Sequence, residues 1–159
     1  MRVLINSSTL IALAKIGKLN TLRKVFKTVY ITTKIQEEIL NDECPETDVF
    51  MVAIDEWIKV LNYEGDAKSL KKYGLDQGET SLFLAARSDD IFVLDESNAR
   101  RYAESNGYEF TGLVGFIVAA AKSRMITKED ALEILNKLVK GDFRMSAEIY
   151  LWAIENIKD

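Results

Sequence analysis

The sequence has no histidine, one cysteine and one proline in 159 residues. Without histidine, a histidine-dependent catalytic triad cannot be assembled. With Cys44 alone, a disulfide framework and a zinc site are excluded too, and the thiol reads as an inert, partly buried side chain. Long apolar runs are also missing. None approaches the roughly 20 residues that span a bilayer, and the opening Met-Arg-Val-Leu-Ile-Asn lacks the apolar stretch and cleavage site of a secretory signal. The expected location is the cytoplasm, with no membrane partner. Positive charge is not in excess: the formal net charge of −4 argues against gripping nucleic acid by bulk electrostatics and leaves room only for local basic patches. Finally, Asn6-Ser7-Ser8 lacks the glycine-rich turn that brings backbone close to a pyrophosphate, which sets aside a dinucleotide-binding role.

What is present is the balance of an ordinary domain, 48% hydrophobic and 29% charged, read as one unit over 1–159. A chain of this length buries about two-thirds of its unfolded surface and needs no covalent staple.

Residues 2–6 read as a short buried strand, after which Ser7 or Ser8 is expected to cap the amphipathic run from Leu10 to Ala14. Helical spacing recurs at Leu19, Leu22, Val25 and Phe26. Val29-Tyr30-Ile31 is β-branched and aromatic, hence a strand, and leads into a helix through Ile35, Ile39 and Leu40. The only proline lies in the break at 41–46. A helix is expected over 49–57, a strand over 58–61, and no regular element is readable in 62–75. Beyond it come a helix over 76–86, a strand over 91–94 and a helix from Ser97 that stops at Gly107. Tyr108 to Thr111 looks extended, Gly112 opens an apolar helix, Thr127 caps a helix over 128–139, and a last helix carries Ile149, Tyr150, Trp152, Ala153 and Ile157. Strands alternating with helices at this spacing imply an α/β fold with a mainly parallel sheet covered on both faces.

In such sheets ligands sit beyond the carboxyl ends of the strands. Asn6 and Asp95 occupy two of those ends, and Glu79, near a helix start, can point to the same edge. Glu38 lies deeper in its helix, so its arrival depends on helix tilt. Taken singly, each position is explained as well by capping or by complementing a helix dipole. Convergence would be different, because clustered carboxylates repel unless a cation neutralises them, and oxygen donors without His or Cys select Mg²⁺ or Mn²⁺.

Five segments together resemble a known family. They are the opening Val-Leu-Ile-Asn-Ser-Ser-Thr-Leu-Ile-Ala-Leu-Ala-Lys-Ile-Gly; Val29-Tyr30-Ile31 through Glu37-Glu38-Ile39; Gly74-Leu75-Asp76-Gln77-Gly78-Glu79; Leu94-Asp95-Glu96 with Ala99-Arg100; and Thr111-Gly112-Leu113-Val114-Gly115. In order and spacing they resemble a PIN domain, of the archaeal and bacterial branch related to VapC-type toxins, over nearly the whole chain.

The resemblance implies a three-layer α/β/α fold and an Mg²⁺- or Mn²⁺-dependent ribonuclease in which metal-activated water attacks RNA. It implies catalytic and metal-binding roles for Glu38, Glu79 and Asp95, with Asn6 standing where most such nucleases have Asp. Glu96 can share or replace the role of Asp95, Ser8 resembles a supporting hydroxyl, and Arg100 can orient a carboxylate or meet a phosphate. An antitoxin protein and a homodimer are implied by the resemblance only. The neutral Asn6 also keeps open a catalytically weak module that binds RNA or protein.

Lys68, Lys71 and Lys72, with Arg100-Arg101, read more simply as solvated faces than as an RNA edge, although Tyr73 or Tyr102 is available for base stacking. Trp57 and Trp152 read as core or dimer contacts. A phosphoryl-accepting receiver or aspartyl phosphatase needs a nucleophilic Asp directly after a strand, in surroundings the residues around Asn6 do not supply.

Overall fold

The computed structural model describes residues 1–158. Its strands are Val3–Ile5 (β1), Val29–Thr32 (β2), Ile58–Leu61 (β3), Ile91–Val93 (β4) and Glu109–Thr111 (β5). Its helices are Ser7–Lys15 (α1), Asn20–Phe26 (α2), Thr33–Ile39 (α3), Thr47–Glu56 (α4), Gln77–Ala85 (α5), Ser97–Ser105 (α6), Leu113–Lys122 (α7), Lys128–Lys140 (α8) and Ala147–Lys158 (α9). The strands form one sheet in the order β3-β2-β1-β4-β5, every neighbouring pair parallel, within an α/β/α arrangement.

Sequence explains the order of burial across the sheet. Central β1 is Val-Leu-Ile with all three residues buried, as a strand covered on both faces must be. The outer strands carry exposed charge at Lys59 on β3 and Glu109 on β5, which guards the sheet edges against further pairing. Among the described residues no helix is long and apolar enough to cross a membrane.

One expectation is corrected and two are refined. The cap of α1 is Asn6 rather than Ser7 or Ser8, because Asn6 keeps an extended backbone while its side chain accepts the Thr9 N–H. In the unreadable stretch, a 3₁₀ turn forms at Lys71–Tyr73 and ends at Gly74. Trp57 is a core residue, but Trp152 is 47% exposed, since Ala153 and Ile157 are the buried residues of α9.

One ion pair levels the strands that matter most. Arg2, just before β1, donates from Nε to Asp90 Oδ1 at 3.0 Å and from Nη2 to Asp90 Oδ2 at 2.8 Å, just before β4. The Arg87 N–H also donates to Asp90 Oδ2, at 2.7 Å. This fork fits the register Val3↔Ile91, Leu4↔Phe92 and Ile5↔Val93. Continued by one residue, it brings Asn6 level with Leu94, and Asp95 follows immediately.

Burial alone would raise the Asp90 pKa, but the Arg2 guanidinium and the Arg87 N–H outweigh it and hold the carboxyl below its ordinary 3.8. A depressed carboxyl stabilises the fold above its unfolded pKa and ceases to do so as pH falls through the lower folded value. Replacing Arg2 by Ala leaves a buried carboxylate short of its partner. Urea denaturation at pH 7 is expected to show a loss of about 2–3 kcal/mol, a loss that shrinks at acid pH; a change below about 0.5 kcal/mol would show that the fork carries nothing.

Candidate functional site

Strand order reverses between β1 and β4, and this is where an open parallel sheet leaves a crevice at its carboxyl edge. Asn6 leaves β1 into that crevice, only 4% exposed, and its Oδ1 accepts the Thr9 N–H at 3.2 Å. The Thr9 hydroxyl in turn donates to Asp95 Oδ2 at 2.8 Å. The other oxygen, Asp95 Oδ1, accepts the Leu113 N–H at 2.9 Å. Gly112, the residue before α7, has no side chain to cap that helix, so Asp95 supplies the acceptor from across the crevice.

Glu79 arrives by a different route. Asp76 and Glu79 form a capping box at the start of α5: the Glu79 N–H donates to Asp76 Oδ1 at 2.7 Å, and the Asp76 N–H donates to Glu79 Oε1 at 3.0 Å. One Glu79 oxygen is thus fixed. The other, Oε2, is buried without a hydrogen-bond partner, and so is Oε1 of Glu38 from α3. Glu38 reaches this region over Gly78, where any Cβ would collide with Glu38 Oε1.

The structure therefore divides the expected constellation. Asn6, Ser8, Asp76, Glu79 and Glu96 line one pocket of about 210 Å³. Asp95 faces an adjoining cleft of about 730 Å³ with Arg100, while Ser8 and Glu96 border both cavities. Glu38 lines a third hollow behind Asp76, with Lys34, Lys68 and Lys71. Arg100 makes no ion pair with a carboxylate among the described residues; its guanidinium lies 5.7 Å from the centre of the Phe110 ring.

Asp76 and Thr9 were not singled out from sequence. Asp76 was detectable, because Asp-x-x-Glu ahead of an apolar helix is a capping-box spacing. Thr9 gave no signal, since its partner lies 86 residues away.

Two carboxyls are strongly perturbed. Burial is the main cause that lifts Glu38 to about 7; the Asp76 and Glu37 charges add to it, and Lys34 with the Ser7 hydroxyl opposes it. Burial likewise dominates at Glu79, also lifted to about 7, where the Asp76 N–H pulls down and the Asp76, Glu96 and Glu38 charges push up.

Amide and carboxylate oxygens with no imidazole or thiolate form a hard donor set suited to Mg²⁺ or Mn²⁺. Two orphaned carboxylate oxygens make a proton or a cation favourable there. In chemistry the residues fit such an ion. Among the described residues, however, no three Asp, Glu or Cys side chains stand close enough to share one.

The family model described as a PIN domain matches residues 2–159 of the chain. No curated protein and no solved structure gives a match.

The raised carboxyls set a pH dependence. A carboxyl whose folded pKa exceeds its unfolded 4.5 stabilises the fold below that value and loses this contribution as pH rises through about 7. Glu79→Gln keeps an acceptor for the Asp76 N–H but has no charge to desolvate. In metal-free buffer its urea stability relative to wild type is expected to rise by on the order of 2 kcal/mol between pH 5 and pH 8. Parallel curves for the two proteins would rule out the perturbed pKa.

Proposed function

This chain belongs to the PIN domain family, and on that premise we propose that it is a ribonuclease dependent on Mg²⁺ or Mn²⁺ that hydrolyses RNA phosphodiester bonds with water. The observation that carries the reading is the pair of buried, unpartnered carboxylate oxygens on Glu38 and Glu79 near the carboxyl edge of the sheet. In this reading Asn6, Glu38, Glu79 and Asp95 hold the cation, with Glu96 sharing or replacing Asp95. The bound ion supplies Lewis acidity, which makes water a better nucleophile and offsets charge building on the phosphate.

The chain's own contribution is positioning. Thr9 and the Leu113 N–H hold Asp95 in one orientation, and the Asp76 N–H does the same for one oxygen of Glu79. Ser8 and Arg100, at the cleft beside Asp95, are suited to meet phosphate oxygens. Hydrolysis then forms one bond from water oxygen to phosphorus and breaks the bond to the leaving ribose oxygen, which gains a proton.

One observation favours a second reading, a catalytically weak module that binds RNA or protein. Asn6 is neutral, and although its amide oxygen keeps a second lone pair beside the Thr9 N–H bond, it supplies no negative charge to a cation. We extend the main proposal to a cytoplasmic toxin, acting as a homodimer and held in check by an antitoxin. Val49, Met51 and Val52 on α4 and Ile149, Leu151 and Trp152 on α9 remain exposed, which supports a protein partner.

Cleavage of single-stranded RNA with Mg²⁺ or Mn²⁺ is the test. Glu38→Gln and Asp95→Asn are each expected to lower the rate by roughly 100-fold or more, and Asn6→Asp to raise it. Activity that survives both neutral substitutions would move catalysis elsewhere. A wild type without turnover that gains it on Asn6→Asp would establish the weak-module reading.

A further inference from the structure

Beside the acidic pocket lies a cleft of about 670 Å³, walled by Lys72, Tyr73, Arg101, Tyr102 and Asn106. Gly74 and Asn98 line both cavities, so the two are neighbours across a shared sill. The sill is tightly built. Gly74 closes the 3₁₀ turn at φ +79°, in the left-handed region, and a Cβ there would collide with the Asn98 side chain.

Tyr73 is unusual for an aromatic residue in being 51% exposed. It is nonetheless anchored: its ring meets Tyr102 at 5.3 Å between centroids, and Tyr102 packs on the buried Phe83 at 4.7 Å. The platform is therefore open to solvent on the outside and tied to the core behind. Lys72 Nζ lies 5.3 Å from the centre of the same ring. Neither Lys72 nor Arg101 pairs with a carboxylate among the described residues, although the chain carries net charge −4. On the far side of Asp76, Lys68 and Lys71 are also unpaired among the described residues. Basic side chains thus flank the acidic pocket on two sides.

We propose that the Tyr73 cleft is a nucleotide subsite, in which an unpaired RNA base stacks on Tyr73 while Lys72 and Arg101 meet the adjoining phosphates. The strand then passes over Gly74 and Asn98 into the acidic pocket. Base stacking on an exposed aromatic ring outweighs an exposed cation–π contact, so an arriving base displaces Lys72 and frees its ammonium for a phosphate. A duplex hides the faces of its bases and gains nothing from Tyr73. The inference rests on the ribonuclease reading and adds to it a contact for one base beside the acidic pocket.

Binding and cleavage test the two separately. Fluorescence anisotropy of a fluorescein-labelled single-stranded hexaribonucleotide, in EDTA at low salt, reads binding without turnover. Tyr73→Ala is expected to weaken it about 10-fold, Tyr73→Phe and Tyr73→Trp to keep it, and binding of an RNA duplex to be the same for all four proteins. The subsite is overturned if the hexamer does not bind wild type, if Tyr73→Ala binds it equally well, if Phe fails to replace Tyr, or if Tyr73→Ala weakens the duplex as much. In cleavage assays Tyr73→Ala should raise KM and leave kcat near wild type; an unchanged KM would overturn the subsite alone. Tyr73-dependent binding with no cleavage by any variant would overturn the ribonuclease reading and leave the subsite standing.

Discussion

Thr9 commits both of its hydrogen-bond donors at the crevice, its N–H to Asn6 and its hydroxyl to Asp95, and Asp95 carries the connection on to the Leu113 N–H. The end of β1, the end of β4 and the starts of α1 and α7 are in this way one hydrogen-bonded unit. The arrangement is possible only because the same two strands are levelled at their other end by Arg2 and Asp90. A slip of one residue would turn every side chain of a strand to the opposite face and take Asp95 away from Thr9. Fold and pocket therefore depend on one register, held at both ends of two three-residue strands.

That fixed edge is where the chain concentrates unfavourable charge. Glu79 is buried beside Asp76 with Glu96 on the same pocket wall, and Glu38 leans in over Gly78. In water such carboxyls would be ionised well below neutrality; here burial lifts two of them to about 7. A divalent cation replacing the protons would have to offset the same desolvation and like-charge repulsion. Lys68, Lys71, Lys72 and Arg101 stand around this centre rather than in it. A chain of net charge −4 can on this account engage a polyanion locally, through a cation at the centre and lysines at the rim.

Much of this was legible in the residues. Apolar runs at 3–5 and 91–94, each stopping at a polar residue, gave two central strands and the positions of Asn6 and Asp95, because buried parallel strands leave a continuous apolar signature. Asp-x-x-Glu at 76–79 has capping-box spacing, a local signal by which Asp76 too was detectable. What was not legible was long-range. The Thr9–Asp95 bond spans 86 residues, and no local pattern distinguishes that threonine from an ordinary helical one. Nor did periodicity separate the pocket that holds Glu79 from the cleft that holds Asp95, since one residue starts a helix and the other follows a strand, and local pattern does not say which cavity each side chain enters. The basic stretch from Lys68 to Lys72 looked like a solvated face, and only its placement against Tyr73, Arg101 and the acidic pocket gives it a further reading.

The central claim is that the carboxyl edge between β1 and β4 holds a divalent cation through this chain's own oxygens. Anomalous diffraction from crystals soaked in Mn²⁺ locates such an ion directly. The account predicts a peak in the crevice within coordinating distance of carboxylate oxygens from Glu38, Glu79 and Asp95 or Glu96, about 2.0–2.3 Å. No peak there at saturating Mn²⁺, with the crevice free of lattice contacts, would contradict it.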